Sequence, residues 1–93
     1  MLKEKVQEFI DDLANGWIDL ACDDLDELES YGLEEGDEKD YARARLQEVA
    51  DDVDGWFKDE FEFYDNGEFL GYNIDEIKAM FKEVLKELGY DVK

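Results

Sequence analysis

Carboxylates crowd the middle of this chain, and they restrict its fold more than any other feature. Between Asp11 and Glu68 lie 22 of the 29 acidic residues and only four basic ones, Lys39, Arg43, Arg45 and Lys58, for a formal charge of −18 out of a total of −19. Residues 1–10 are neutral, and residues 69–93 carry −1. A carboxylate is not buried without a partner, because desolvating its charge costs too much. Every element in this block must therefore turn its acids to solvent and build a core from what remains. Enough remains: 44% of the 93 residues are hydrophobic and 14% aromatic, more than a disordered acidic tail contains. The length suits a single domain spanning 1–93, at the small end of what buries a self-sufficient core.

The residues that are missing narrow the function. The chain has no histidine or proline, one serine (Ser30) and one cysteine (Cys22). Nucleophile–base pairs of the Ser/His or Cys/His kind cannot be built, and zinc sites of the usual Cys/His kinds are excluded. One cysteine forms no intrachain disulfide, which fits a cytoplasmic protein. Residues 1–5 lead into an amphipathic pattern and not an apolar signal core. No apolar run approaches the ~20 residues that span a bilayer. No cofactor and no membrane partner is expected.

Apolar spacing places the elements. Leu2, Val6, Phe9, Ile10 and Leu13 recur at three- and four-residue steps, one face of a helix of about 12 residues. Asn15-Gly16 then supplies a stop. Trp17, Leu20, Ala21, Leu25, Leu28 and Tyr31 keep a helical step up to Gly32, giving a second helix over about 17–31. Two other readings stand open: a short strand at Trp17–Leu20 with a helix from Asp24, or one helix running through Gly16. Asp37 is a candidate N-cap for a third helix over about 38–57, with Ala42, Leu46, Val49, Val53 and Trp56 or Phe57 on its apolar face. Arg45, three residues before Glu48, can pair with it on the helix surface. Phe61, Phe63, Tyr64, Phe69 and Tyr72 flank Asp65-Asn66-Gly67, a hairpin signal with strands near 60–64 and 68–72. Asn73 or Asp75 caps a last helix ended by Gly89. The expected fold is α+β and mainly helical, a single compact domain in the order α-α-α-β-hairpin-α.

The acid block is the leading candidate site. Asp19, Asp23, Asp26 and Glu27 fall at steps of three and four, flanked by Asp12, Asp24 and Glu29. The loop Glu34, Glu35, Asp37 and Glu38 joins them to Glu48, Asp51 and Asp52 on the third helix. Residues at such steps lie ~5–6 Å apart, and each DNA strand carries one charge per ~3.4 Å. Rows of carboxylates can therefore present a phosphate-like field to a basic protein surface, most simply that of a nucleic-acid-binding protein. A block of this charge repels nucleic acid itself. The bland reading is a solvated acidic face, but solubility needs a net charge of only about 2–8 in a small domain.

Three other candidates are weaker. With Gly67 at the sixth position of a calcium loop, the first position is Glu62, the third Tyr64 and the twelfth Asn73, so the bidentate acid is missing. Adjacent acids such as Asp23-Asp24 or Asp51-Asp52 are inevitable at this composition and do not indicate catalysis. Trp17, Trp56, Phe57 and Tyr64 are aromatics of the kind that anchor a partner, but at these spacings they read first as core.

In length, acidity and lack of cysteine or histidine chemistry, the chain resembles the nucleic-acid mimics of phages and mobile elements, antirestriction and anti-CRISPR proteins among them. Asn15-Gly16-Trp17-Ile18-Asp19-Leu20 followed by Asp24–Leu28 is similar to an early strand-then-helix segment of the ArdA antirestriction family, and Phe63–Gly71 to its next one. The resemblance implies DNA mimicry against restriction enzymes. In size and charge the chain also resembles nuclease immunity proteins, which implies a specific aromatic hot spot at Tyr31, Tyr41 or Tyr64. The expectation is a non-enzymatic inhibitor. The alternatives are an immunity protein or antitoxin, or an acidic adaptor domain.

Overall fold

The computed structural model describes residues 2–59, 69 and 71–93. Its elements are α1 (Leu2–Asp23), α2 (Leu25–Ser30), α3 (Glu38–Asp51), α4 (Val53–Asp59) and α5 (Ile74–Glu87). No strand occurs among the described residues, which corrects the α+β expectation to an all-helical one. The strand expected over 60–64 and the turn Asp65-Asn66-Gly67 lie outside the described residues. The strand expected over 68–72 is overturned where it is described. Tyr72 N–H donates to Phe69 O at 3.1 Å, closing a turn. Gly71 sits third in that turn with φ 92°, the sign a type II turn requires. Phe69 is 4% exposed, its ring 5.6 Å from that of Phe9. It serves the core as an anchor, not as one member of an alternating strand.

Helix α1 runs unbroken through Gly16, so the stop at Asn15-Gly16 and the strand at Trp17–Leu20 are both corrected. The apolar face explains the continuity. Trp17 and Ala21 carry on the buried stripe of Val6, Phe9, Ile10 and Leu13. Burying Trp17 offsets the ~1 kcal/mol that glycine costs inside a helix. The second expected helix is instead divided at Asp24, which leaves helical geometry (φ −132°, ψ 93°) and caps α2 by accepting from Asp26 N–H. Gly32 ends α2 as expected. With φ 72° it lets Leu33 N–H reach Leu28 O and its own N–H reach Glu29 O, a Schellman closure.

The third expected helix is also divided. Asp52 (φ −150°, ψ 72°) ends α3 and opens α4, its Oδ1 accepting from Gly55 N–H at 3.0 Å. Helix α5 matches expectation at both ends. Asn73 Oδ1 accepts from Glu76 N–H at 2.8 Å, and Gly89 at φ 95° allows Tyr90 N–H to reach Leu85 O.

α1 is the central element, packed against both α3 and α5. The core is one cluster, with Tyr41, Ala42, Leu46, Val49 and Ala50 from α3 and Ile77, Phe81, Val84 and Leu85 from α5 facing α1. Its aromatic centre holds Phe9 and Phe57 edge-on to Phe81, at 6.0 and 5.1 Å. The last residues are tied down on α3. Gln47 exchanges hydrogen bonds with both backbone groups of Asp91, at 3.0 and 3.3 Å, and Lys93 N–H donates to Ala50 O.

Candidate functional site

The helix pairing decides which acids meet. Arg45 on α3 lies over Trp17 on α1, and Glu38 at the start of α3 acts on Cys22 near the end of α1, so the two helices run antiparallel. The end of α1, all of α2, the loop 31–37 and the start of α3 therefore share one end of the molecule. Around Cys22 stand Glu38, Asp19 and Asp23. Desolvation, followed by these three carboxylates, pushes the thiol pKa up, which disfavours the reactive thiolate. Beside them a cavity of about 240 Å³ has Leu25, Leu28 and Leu33 as its apolar wall and Glu29, Glu34 and Glu35 on its rim. Leu25 is 48% exposed and Leu20 43%, in contrast to the buried leucines of the core.

The fourteen candidate acids fall into three groups. Asp19, Asp23, Asp26, Glu29, Glu34 and Glu35 lie in this corner, exposed, with no ion pair or side-chain hydrogen bond among the described residues. Asp12 is exposed midway along α1 and equally without a partner.

A second group is engaged in local structure. Asp24 caps α2, Asp37 Oδ2 accepts from Glu34 N–H, Glu38 Oε1 accepts from Gly36 N–H and Asp52 caps α4. Asp37 stands at the N-cap position of α3 as expected, but its side chain serves the preceding turn and not the helix.

A third group is paired across elements. Asp51 Oδ1 accepts from Gln47 at 2.9 Å and faces Lys93 at 3.4 Å, and these two partners hold its pKa down. Glu27 accepts from Tyr41 Oη at 3.1 Å, and Glu48 accepts from Tyr31 Oη and faces Arg45 at 3.6 Å. Asp51 and Asp52 stand at the far end of α3, ~20 Å from Glu38 at 1.5 Å per residue. Asp51 and Asp52 thus do not extend the row formed by the acids of α1 and α2, whereas Glu38, beside Cys22, stands with it.

Arg45 organises the polar network behind the corner. Its guanidinium lies 5.2 Å from the Trp17 ring and 5.9 Å from the Tyr41 ring, and Nη1 donates to Tyr41 Oη at 3.2 Å. Tyr31 and Tyr41 meet edge to face at 5.1 Å. Burial and the bond to Glu48 push the Tyr31 hydroxyl up to about 12, so it stays a proton donor. The sequence pairs Arg45 with Glu48 correctly, but the arginine's place over Trp17 was missed. The readable signal was Tyr41 and Arg45, one helical turn apart. Tyr41 is fully buried and offers no surface anchor. Tyr31 is half-buried, and Tyr64 lies outside the described residues. Trp17 and Phe57 are core, as the bland reading of the aromatics has it.

No cluster of three metal-ligating side chains occurs among the described residues. Of the calcium loop, Glu62, Tyr64 and Gly67 lie outside the described residues, and Asn73 is engaged as the cap of α5. No helix among the described residues is long and apolar enough to cross a membrane. No protein-family model matches the chain, and no curated protein or solved structure matches it. The resemblance to ArdA proteins therefore rests on the residues quoted for it, and the strand it implies at Asn15–Leu20 is helix here.

Proposed function

We propose that this chain is a non-enzymatic acidic binding protein that occupies the basic nucleic-acid site of another protein, in the manner of a nucleic-acid mimic. The supporting observation is the corner itself. Six exposed carboxylates drawn from α1, α2 and the following loop stand without intramolecular partners, beside carboxylates that are capped or paired. Carboxylates already bonded within the fold add little to a partner, whereas free ones can replace phosphates and use the same counterion-release energy. The exposed Leu20 and Leu25 supply apolar contact within the acid rim, as interface cores do. The target class is a host defence protein of the restriction or CRISPR kind, or another DNA-processing protein in the cytoplasm.

The test is competition. The chain should be immobilised, exposed to DNA-binding proteins of its native host at low salt, and eluted with a salt gradient or with duplex DNA. Bound proteins should leave over a steep salt dependence and be displaced by DNA. Reversing Asp23, Asp26, Glu29 and Glu35 to lysine should abolish capture, while the same reversal at four exposed acids elsewhere, Glu4, Glu8, Asp12 and Asp59, leaves it nearly intact. Equal losses from both sets would mean that bulk charge acts and the corner does not. The immunity-protein alternative predicts a salt-resistant partner anchored on Leu20 and Leu25, since Tyr41 is buried.

A further inference from the structure

We propose that the groove between α1 and α3, on the side lined by Lys39 and Arg43, binds a small amphiphile with a carboxylate head and a short apolar tail. This groove shares no lining residue with the cavity of the acidic corner and does not depend on how that corner functions. The groove encloses about 320 Å³, the lower end of the range for small-molecule pockets, and too small for a partner helix. Its floor is apolar, formed by Ile10, Ala14 and Ile18 of α1 and by Ala42 and Leu46 of α3. Leu88 and Tyr90 close one side, held in place where Gln47 fixes the backbone of Asp91.

The rim carries two of the four basic residues in the −18 block. Lys39 makes no ion pair among the described residues. Arg43 has a side chain 74% exposed; among the described residues it pairs with Asp40, at 4.0 Å, and its charge also acts on the Tyr90 hydroxyl. Both keep N–H donors open in a chain where acids outnumber bases 29 to 10. The one acid lining the groove, Asp11, lies toward the other end, because antiparallel packing sets Lys39 and Arg43 near Ile18. A carboxylate therefore fits at the Lys39–Arg43 end, and an apolar tail fits along the floor toward Leu88. A cationic head at the same place would meet two like charges.

The bulk field makes the test sharp, since a protein of charge −19 should otherwise favour a cation. Octanoate and octylammonium would be titrated separately into the full chain at matched ionic strength, with the methyl NMR signals of Ile18, Ala14 and Leu88 as readout. Octanoate should give saturable shifts there, and octylammonium should bind about tenfold or more weakly, the effect of one charge-assisted hydrogen bond. The double variant Lys39→Gln/Arg43→Gln, both positions exposed, should erase that preference while leaving the circular dichroism spectrum unchanged. Ala14→Phe should fill the groove and remove the octanoate shifts. Octylammonium binding as tightly as octanoate, no saturable shift at millimolar octanoate, or a preference that survives the double variant would overturn the assignment.

Discussion

Two stretches of this molecule set a glycine among acids on a helix and are built in opposite ways. In α1 the chain passes through Gly16 without a break. At the junction of α3 and α4 it breaks at Asp52 and restarts with Gly55 in the first turn. The difference is in what lies beside each glycine. Nothing stands within 4 Å of the place where a Gly16 methyl would go, and Trp17 next to it is 8% exposed. The Gly55 position is occupied: a methyl there would lie 2.8 Å from Asp52 Cγ. The glycine in α1 is a weakness bridged by burial, whereas the glycine in α4 makes room for a cap.

The largest effect should come from removing the burial that carries α1 past Gly16. Trp17→Ala is expected to cost about 3–5 kcal/mol in urea denaturation, the range for truncating a core aromatic. Trp17→Phe should cost markedly less. If burial is what bridges the glycine, hydrogen exchange in Trp17→Ala should speed up most at the amides of residues 18–23, beyond Gly16. Equal loss of protection at residues 6–13 would show that the second half of α1 has no separate dependence on Trp17.

Alanine at the two glycines should then give opposite results. Gly16→Ala meets open space in a helix interior and should stabilise by about 0.5–1 kcal/mol, a rise of roughly 4–8 °C in Tm per kcal/mol for a domain this size. Gly55→Ala should show no such gain, because the methyl displaces the Asp52 carboxylate and with it a cap worth about 1 kcal/mol. In an Asp52→Ala background, where there is no carboxylate to displace, Gly55→Ala should recover the gain. A double-mutant cycle with no coupling between the two positions would remove Gly55 from the account of the break.

The same contrast marks what was legible in the sequence. Helix ends set by local rules were readable: Gly32 and Gly89 as stops, Asn73 as a cap, and the buried faces Val6–Leu13 and Ile77–Leu85. Signals that depend on a neighbour far along the chain were not. Gly16 reads as a stop unless Trp17 is known to be covered by α3. Asp52 reads as one more surface acid until its carboxylate is seen turned onto Gly55. Phe69 fits an alternating strand until Phe9 is placed against it. The acid block shows the same limit. Its charge was plain from composition, but which carboxylates cap, pair or stand free depends on α3 running antiparallel to α1. Glu27, Glu48 and Asp51 look like Asp26 and Glu29 in sequence, yet they meet Tyr41, Tyr31 and Lys93 in the fold.

The smallest effect tests whether α4, cut off from α3 by its cap, is held on α5 by charge as well as by Phe57. Asp54 faces Lys78 at 3.3 Å and Lys82 at 3.7 Å, and the bond from Lys78, followed by the charge of Lys82, holds its pKa below the ordinary carboxyl value. A carboxyl whose pKa is lowered by folding adds stability above its unfolded value, near 3.9, and loses it as pH falls through the lower folded value. Wild type should therefore be slightly more stable than Asp54→Asn at pH 7, with the gap closing below about pH 3.9. The gap should also shrink in 1 M salt, where screening acts within ~3 Å. In a Lys78→Gln/Lys82→Gln background it should largely vanish at every pH. Denaturant midpoints of dilute protein across that range would show it. A gap that persists without the lysines would assign Asp54 to the N-terminal dipole of α4, leaving the apolar face of α4 to hold it on α5. That arrangement would make the seat of α4 the same in kind as the seat of α1 beyond Gly16.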